Sequence, residues 1–119
     1  MTYFPNIPAI QFEGKDTKNH LAYRYYDANK KVLGKTMAEH LRIAVCYWHT
    51  LCWSGHDIFG ETTFDRPWIL ENSMQAAEAR LQAAFEFITK LGVPYFTFHD
   101  RDVAPEGQTL KQLNYHFIK

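Results

Sequence analysis

The apolar positions of this chain change period from residue 42 onward, and each change marks an element. Residues 42–48 form a short apolar run rich in β-branched and aromatic side chains, which suits a buried strand. Across residues 73–91 the spacing lengthens to three and four. Met74, Ala77, Leu81, Ala84, Phe85, Ile88 and Leu91 then share one helical face. Asn72 or Ser73 can cap the start of that helix, Gly92 follows its end, and Glu78, Arg80 and Gln82 are left to face water. Residues 93–98 predict a second strand, entered through Pro94, where a missing amide donor does least harm. Residues 109–118 begin another helix, with Leu110, Leu113, Phe117 and Ile118 on one side.

Residues 49–72 read as a long loop holding Gly55, Gly60, Pro67, Asp57, Asp65 and Asn72. Ordered loops of this length are usually functional or touch a partner. Residues 1–41 are polar, aromatic-rich and weakly periodic, and predict an extended arm with turns and a short helix over 37–41. The order strand, loop, helix, strand, loop, helix implies a parallel sheet with helices packed on it. Two such units fall short of the eight in a closed (β/α)₈ barrel, and the last helix runs to Lys119 without a stop signal. The expectation is a piece of a larger α/β fold, with an arm at 1–41 and βα units at 42–119.

Composition narrows the function classes. The chain carries 13 basic and 13 acidic residues, so no basic field draws a nucleic-acid backbone. The lysines at 15, 18, 30, 31 and 35 are interrupted by Glu13, Asp16 and Asp27 and read as a solvated face. No window approaches a membrane span, and no basic, apolar leader follows Met1. Cys46 and Cys52 lie in an apolar stretch, which reads as two reduced thiols in a cytoplasmic protein. Aromatic residues make up 16% of the chain, enough to build a core or to stack on sugars.

Ligands of parallel α/β folds gather at the carboxyl ends of strands. The second strand ends in His99-Asp100-Arg101-Asp102. If the loop curls back, the Asp102 carboxylate can accept from one ring nitrogen of His99 and leave the other for a substrate. The alternative is a His–Asp surface turn. Trp48, at the exit of the first strand, suits the wall of a sugar site, while Trp53 divides evenly between core and site. Cys46, His49, Cys52 and His56 tempt a zinc reading, but the cysteines enclose five residues and the histidines six, outside the usual spacings. Neither thiol carries a mark of lowered pKa, His20, His40 and His116 stand alone, and no glycine-rich phosphate loop occurs.

A family resemblance runs through these residues. Phe12-Glu13-Gly14-Lys15, Leu21-Ala22-Tyr23-Arg24-Tyr25-Tyr26, Leu33-Gly34-Lys35 and His40-Leu41-Arg42 follow a family pattern in order. Tyr47-Trp48-His49-Thr50, Gly55-His56-Asp57-Ile58-Phe59-Gly60 and Arg66-Pro67-Trp68 continue it. The most specific stretch lies between Phe85 and Gly107, with Lys90-Leu91-Gly92-Val93-Pro94 and then Phe98-His99-Asp100-Arg101-Asp102-Val103-Ala104-Pro105-Glu106-Gly107. Together they resemble the N-terminal part of the longer class of bacterial xylose isomerases.

The resemblance implies a TIM barrel, assembled as a homotetramer, that interconverts D-xylose and D-xylulose and, more weakly, D-glucose and D-fructose. It implies two divalent ions, Mg²⁺, Mn²⁺ or Co²⁺, that hold the open-chain sugar while a hydride moves between C1 and C2. It assigns His99 to the sugar's ring oxygen and ring opening, Asp102 to the orientation of that imidazole, Trp48 to the pocket wall, and Phe59 to a neighbouring subunit's site. It places the metal ligands and a catalytic lysine on later strands, beyond these residues, so no metal ligand is expected here and the chain by itself is expected to be inactive. Arg101 departs from the pattern, which has a small aliphatic residue such as valine there. Its side chain is expected in solvent, with Asp100 or Glu106 as partners, rather than competing for Asp102. Two rivals stand beside this reading: a self-assembling, non-catalytic fragment, and another sugar-processing TIM barrel such as a one-metal epimerase.

Overall fold

A computed structural model describes residues 2–56, 58–60, 66–69 and 73–118. Asp57, Asp65 and Asn72 of the predicted loop, and Lys119, lie outside them. In chain order the elements are β1 (Lys31–Val32), β2 (Lys35–Thr36), α1 (Met37–His40), β3 (Ala44–Cys46), a π-helical turn (Trp48–Cys52), α2 (Met74–Leu91), β4 (Tyr95–Thr97), α3 (Asp100–Val103) and α4 (Leu110–Ile118). β1 and β2 form a small antiparallel hairpin in the arm. Thr36 then caps α1, in a capping box closed by Glu39.

β3 and β4 pair in parallel, with Ala44 opposite Tyr95, Val45 opposite Phe96 and Cys46 opposite Thr97. Parallel neighbours need a crossover, and α2 lies in the connection between them. The predicted first strand is shorter than its apolar run. After Cys46 the backbone turns helical, so Tyr47 and Trp48 leave the sheet and the predicted loop starts with an ordered turn. The physical reason is burial: Tyr47 and Leu51, one turn apart, are both completely enclosed.

α2 begins where Ser73 accepts from the Ala76 amide. It ends at Gly92, whose φ of 70° lets its amide reach the Ile88 and Thr89 carbonyls. Its buried side is built from Ala76, Ala77, Ala83, Ala84 and Ile88. Leu81 and Phe85, predicted on the inward stripe, are substantially exposed. The small alanines win because they let the turn and the arm approach the helix axis. α4 buries none of its residues, and of its predicted inward side chains only Leu113 is half-covered.

The core joins Tyr47, Leu51, Trp68, Ala83 and Ala84, with Tyr3, Phe4, Cys52, Ile69 and Val103 against it. Trp68 donates its indole N–H to the Leu51 carbonyl at 2.9 Å and meets the rings of Tyr3 and Phe4 at 5.8 and 5.7 Å. The arm is thereby tied to the body. Its Tyr3 and Phe4 amides donate to the Glu86 carboxylate, the Ile10 amide to the Lys90 carbonyl, and the Tyr23 hydroxyl to the Leu91 carbonyl.

The chain as a whole is nonetheless extended. Its radius of gyration is 17.6 Å, whereas a compact chain of this length comes near ~14 Å. Its accessible surface is 9177 Å², against ~6,700 Å² for a compact protein of its mass. Phe85, Phe96 and Phe98 stack edge and face along one exposed row. Among the described residues no helix is long and apolar enough to cross a membrane.

Candidate functional site

β4 ends one residue before Phe98, and the chain then folds back on itself as α3. This short helix is what lets residues three apart meet. The Asp102 amide donates to the His99 carbonyl at 3.0 Å. In return the Asp102 carboxylate accepts the His99 amide at 2.7 Å. The same oxygen, Oδ2, lies 3.1 Å from His99 Nδ1. The carboxylate can only accept there, so the proton sits on Nδ1 and Nε2 is left for a ligand.

Exposure divides the pair. Asp102 is 5% exposed, while the His99 side chain is 71% exposed. The carboxylate is held rigidly and the imidazole is offered outward. His99 opens on a shallow cavity of about 390 Å³ that it shares with Trp48, Cys52, Arg80, Arg101 and Asp102. Trp48 stands edge-on to the His99 ring, with centroids 6.5 Å apart. Trp53 is exposed and does not line this cavity. Phe59 is 92% exposed and does not line this cavity.

Arg101 turns away from the pair. Its guanidinium meets Glu106 at 2.7 Å, with both side chains in solvent, and Asp102 keeps His99 to itself. Three other histidines meet backbone or small polar groups. His40 Nε2 meets the Val32 carbonyl, His116 Nδ1 the Pro105 carbonyl and His56 Nδ1 the Ser54 hydroxyl. Among the described residues no three His, Cys, Asp or Glu side chains converge on a point that would hold a metal ion. Cys52, considered above as a zinc ligand, faces Asp102 instead, with Sγ 3.9 Å from Oδ1.

The sequence reading missed what lies behind Asp102. Arg80, expected in water, is turned inward from α2 and donates to Cys52 Sγ at 3.5 Å and to the Asp102 carbonyl at 3.4 Å. Burial pushes the Cys52 thiol up, against the pull of Arg80, so it remains an S–H. Burial also pushes the Tyr47 phenol up to about 12, with Cys52 adding to the effect. The one sequence signal for Arg80 was its place between Ala76 and Ala83 or Ala84, on the small-residue side of the helix.

A protein named xylose isomerase from Marinomonas sp. (strain MWYL1) is 57% identical over 118 residues, covering 98% of this chain. One from Burkholderia ambifaria (strain MC40-6) is 58% identical across 100% of the chain, and one from Paraburkholderia phytofirmans (strain DSM 17436 / LMG 22146 / PsJN) is 57% identical across the same span. The chain is a homologue of xylose isomerases. It spans 27% of the length of these xylose isomerase relatives. No profile of a known protein family matches it.

Proposed function

We propose that this chain carries the ring-opening part of a xylose isomerase site. In a polypeptide of its relatives' length it would serve the interconversion of D-xylose and D-xylulose, and of D-glucose and D-fructose. The observation that carries the proposal is the bond from His99 to a buried Asp102, which leaves Nε2 on an open cavity beside Trp48. A closed sugar opens when its ring oxygen gains a proton as the anomeric hydroxyl loses one. Protonated His99 can donate from Nε2 to the ring oxygen, then recover a proton at the same nitrogen from the anomeric hydroxyl or from water. Asp102 stabilises the imidazolium and holds the ring in plane for both transfers. Trp48 would pack against the C–H face of the sugar.

The two divalent ions implied by the family find no donor set among the described residues, so no step here runs through them. Residues 1–41 are read as an arm and residues 42–119 as the first two βα units of a TIM barrel completed by the rest of the relatives' length. Phe59 would reach a neighbouring subunit's site in a tetramer. The chain by itself would not turn over xylose. A second reading, a self-assembling fragment without catalysis, draws on the ~2,500 Å² of surface beyond that of a compact protein.

The test has two arms. In a polypeptide of full relative length, His99→Asn should slow conversion of the closed α-anomer at least tenfold more than that of an open-chain analogue, a difference of ~1.4 kcal/mol in barrier. Equal slowing of both would remove ring opening from His99. The 119-residue chain, given Mg²⁺ and xylose, should show no turnover, and measurable turnover would overturn its incompleteness.

A further inference from the structure

We propose that Arg80 is the positioning residue of the His99–Asp102 pair, acting from α2 through Cys52 and the Asp102 peptide to keep Asp102 an acceptor. The inference rests on reading that pair as the chemical centre. Its physical content concerns the proton on His99 and needs no sugar.

Three observations carry it. Asp102 is almost wholly enclosed, and its Oδ2 takes both hydrogen bonds from His99. Among the described residues, Oδ1 meets only the weak Cys52 thiol, at 3.9 Å. A carboxylate so placed is costly unless a cation lies close, and protonating it would put a donor where His99 needs an acceptor. Arg80 places a cation on that side, bonded to the Asp102 carbonyl rather than to its carboxylate. Its Nη1 reaches Sγ at 3.5 Å and the Asp102 carbonyl at 3.4 Å, so one group steadies both the peptide and the thiol that face the carboxylate. Arginine is always charged, so this support is constant with pH.

Arg80 is not well matched for stability alone. Its Nε is buried without a partner among the described residues, and the Tyr47 hydroxyl is in the same state. An inward leucine or methionine would avoid that unmatched donor. What a hydrocarbon could not do is place a positive charge and a hydrogen-bond donor behind the Asp102 peptide. Arg80, Cys52 and Asp102 line the same cavity as His99 and Trp48, so the support belongs to the site.

The experiment is ¹H–¹⁵N correlation of the imidazole nitrogens of His99 in the 119-residue chain, without ligand. The original chain should carry its proton on Nδ1. Arg80→Met keeps the length of the side chain and removes the cation, and should lower the ratio of Nδ1–H to Nε2–H about fivefold, the worth of one lost hydrogen bond. Arg80→Lys should restore most of the ratio. His116, bonded to the Pro105 carbonyl, is the internal control and should not move. An unchanged His99 tautomer in a folded Arg80→Met chain would overturn the proposal. If that variant loses its helical circular dichroism, Arg80→Gln, neutral but still a donor, decides the matter by the same criterion. Failure of His99 in sugar ring opening would leave this result standing, so the two proposals fail separately.

Discussion

Replacing Asp102 tests the centre of the site, because one oxygen of that side chain holds two groups of His99. Asp102→Ala removes the acceptor of the His99 amide at 2.7 Å and of Nδ1 at 3.1 Å. A hydrogen bond to an ionised group is worth roughly 1.5–3 kcal/mol. The amide bond lies behind a nearly enclosed carboxylate and deserves most of that figure. The bond to Nδ1 involves an imidazole that is largely in water and deserves little of it. The two bonds together come to about 3 kcal/mol, the amide bond supplying most of it. Asp102→Asn keeps an oxygen in the same place and loses only the charge, which roughly halves such a bond, so its cost should be about 1 kcal/mol. A chain of this length has ~6 kcal/mol at the lower end of ordinary stability, so Asp102→Ala should remove about half of it. Urea unfolding followed by far-ultraviolet circular dichroism measures both variants, with the slope m serving as the check that the unfolded state is unchanged. The reasoning is refuted if Asp102→Ala costs less than ~1 kcal/mol, or if Asp102→Asn costs as much as Asp102→Ala.

Two further outcomes are expected. The Glu86 carboxyl lies below its usual range because Lys90 bonds it and the Tyr3 amide donates to it, so arm docking is complete above the unfolded value near 4.5 and is lost as pH falls through the lower folded value. Hydrogen exchange at Tyr3 and Phe4 should therefore quicken below that value relative to α2 and not in Glu86→Gln, where exchange should be fast at neutral pH as well; a step shared by both chains would exclude Glu86. Gly92→Ala meets nothing closer than the Ile10 carbonyl oxygen at 3.8 Å, so only its φ of 70° opposes the new methyl. It should cost about 1 kcal/mol and lower the melting temperature by roughly 4 °C, and an unchanged melting temperature would mean that the helix end can relax.

Much of the local structure was legible because it depends on near neighbours in the chain. Ser73, the alanine-rich run and Gly92 bound α2 by themselves, since capping and periodicity act within a turn or two. The parallel pairing of β3 with β4 followed from their order around a helix. The bend that brings Asp102 back to His99 was readable as a possibility from a spacing of three, which one helical turn satisfies. What could not be read was which way ambiguous side chains turn. Trp48 sat at the end of an apolar run that looked like strand throughout, and only the enclosure of Tyr47 and Leu51 against α2 made the chain coil there. Arg80 had the composition of a solvent residue, and its inward turn depended on a thiol 28 positions earlier and a carbonyl 22 positions later. The sequence by itself determined the elements, their order and the residue types at the strand exit, because these are set by local sterics and by the period of apolar side chains. Tertiary structure alone decided which side of α2 buries its alanines, the coil at Trp48 and the cation behind Asp102, because each is a competition among groups far apart in the chain, settled by burial and charge in three dimensions.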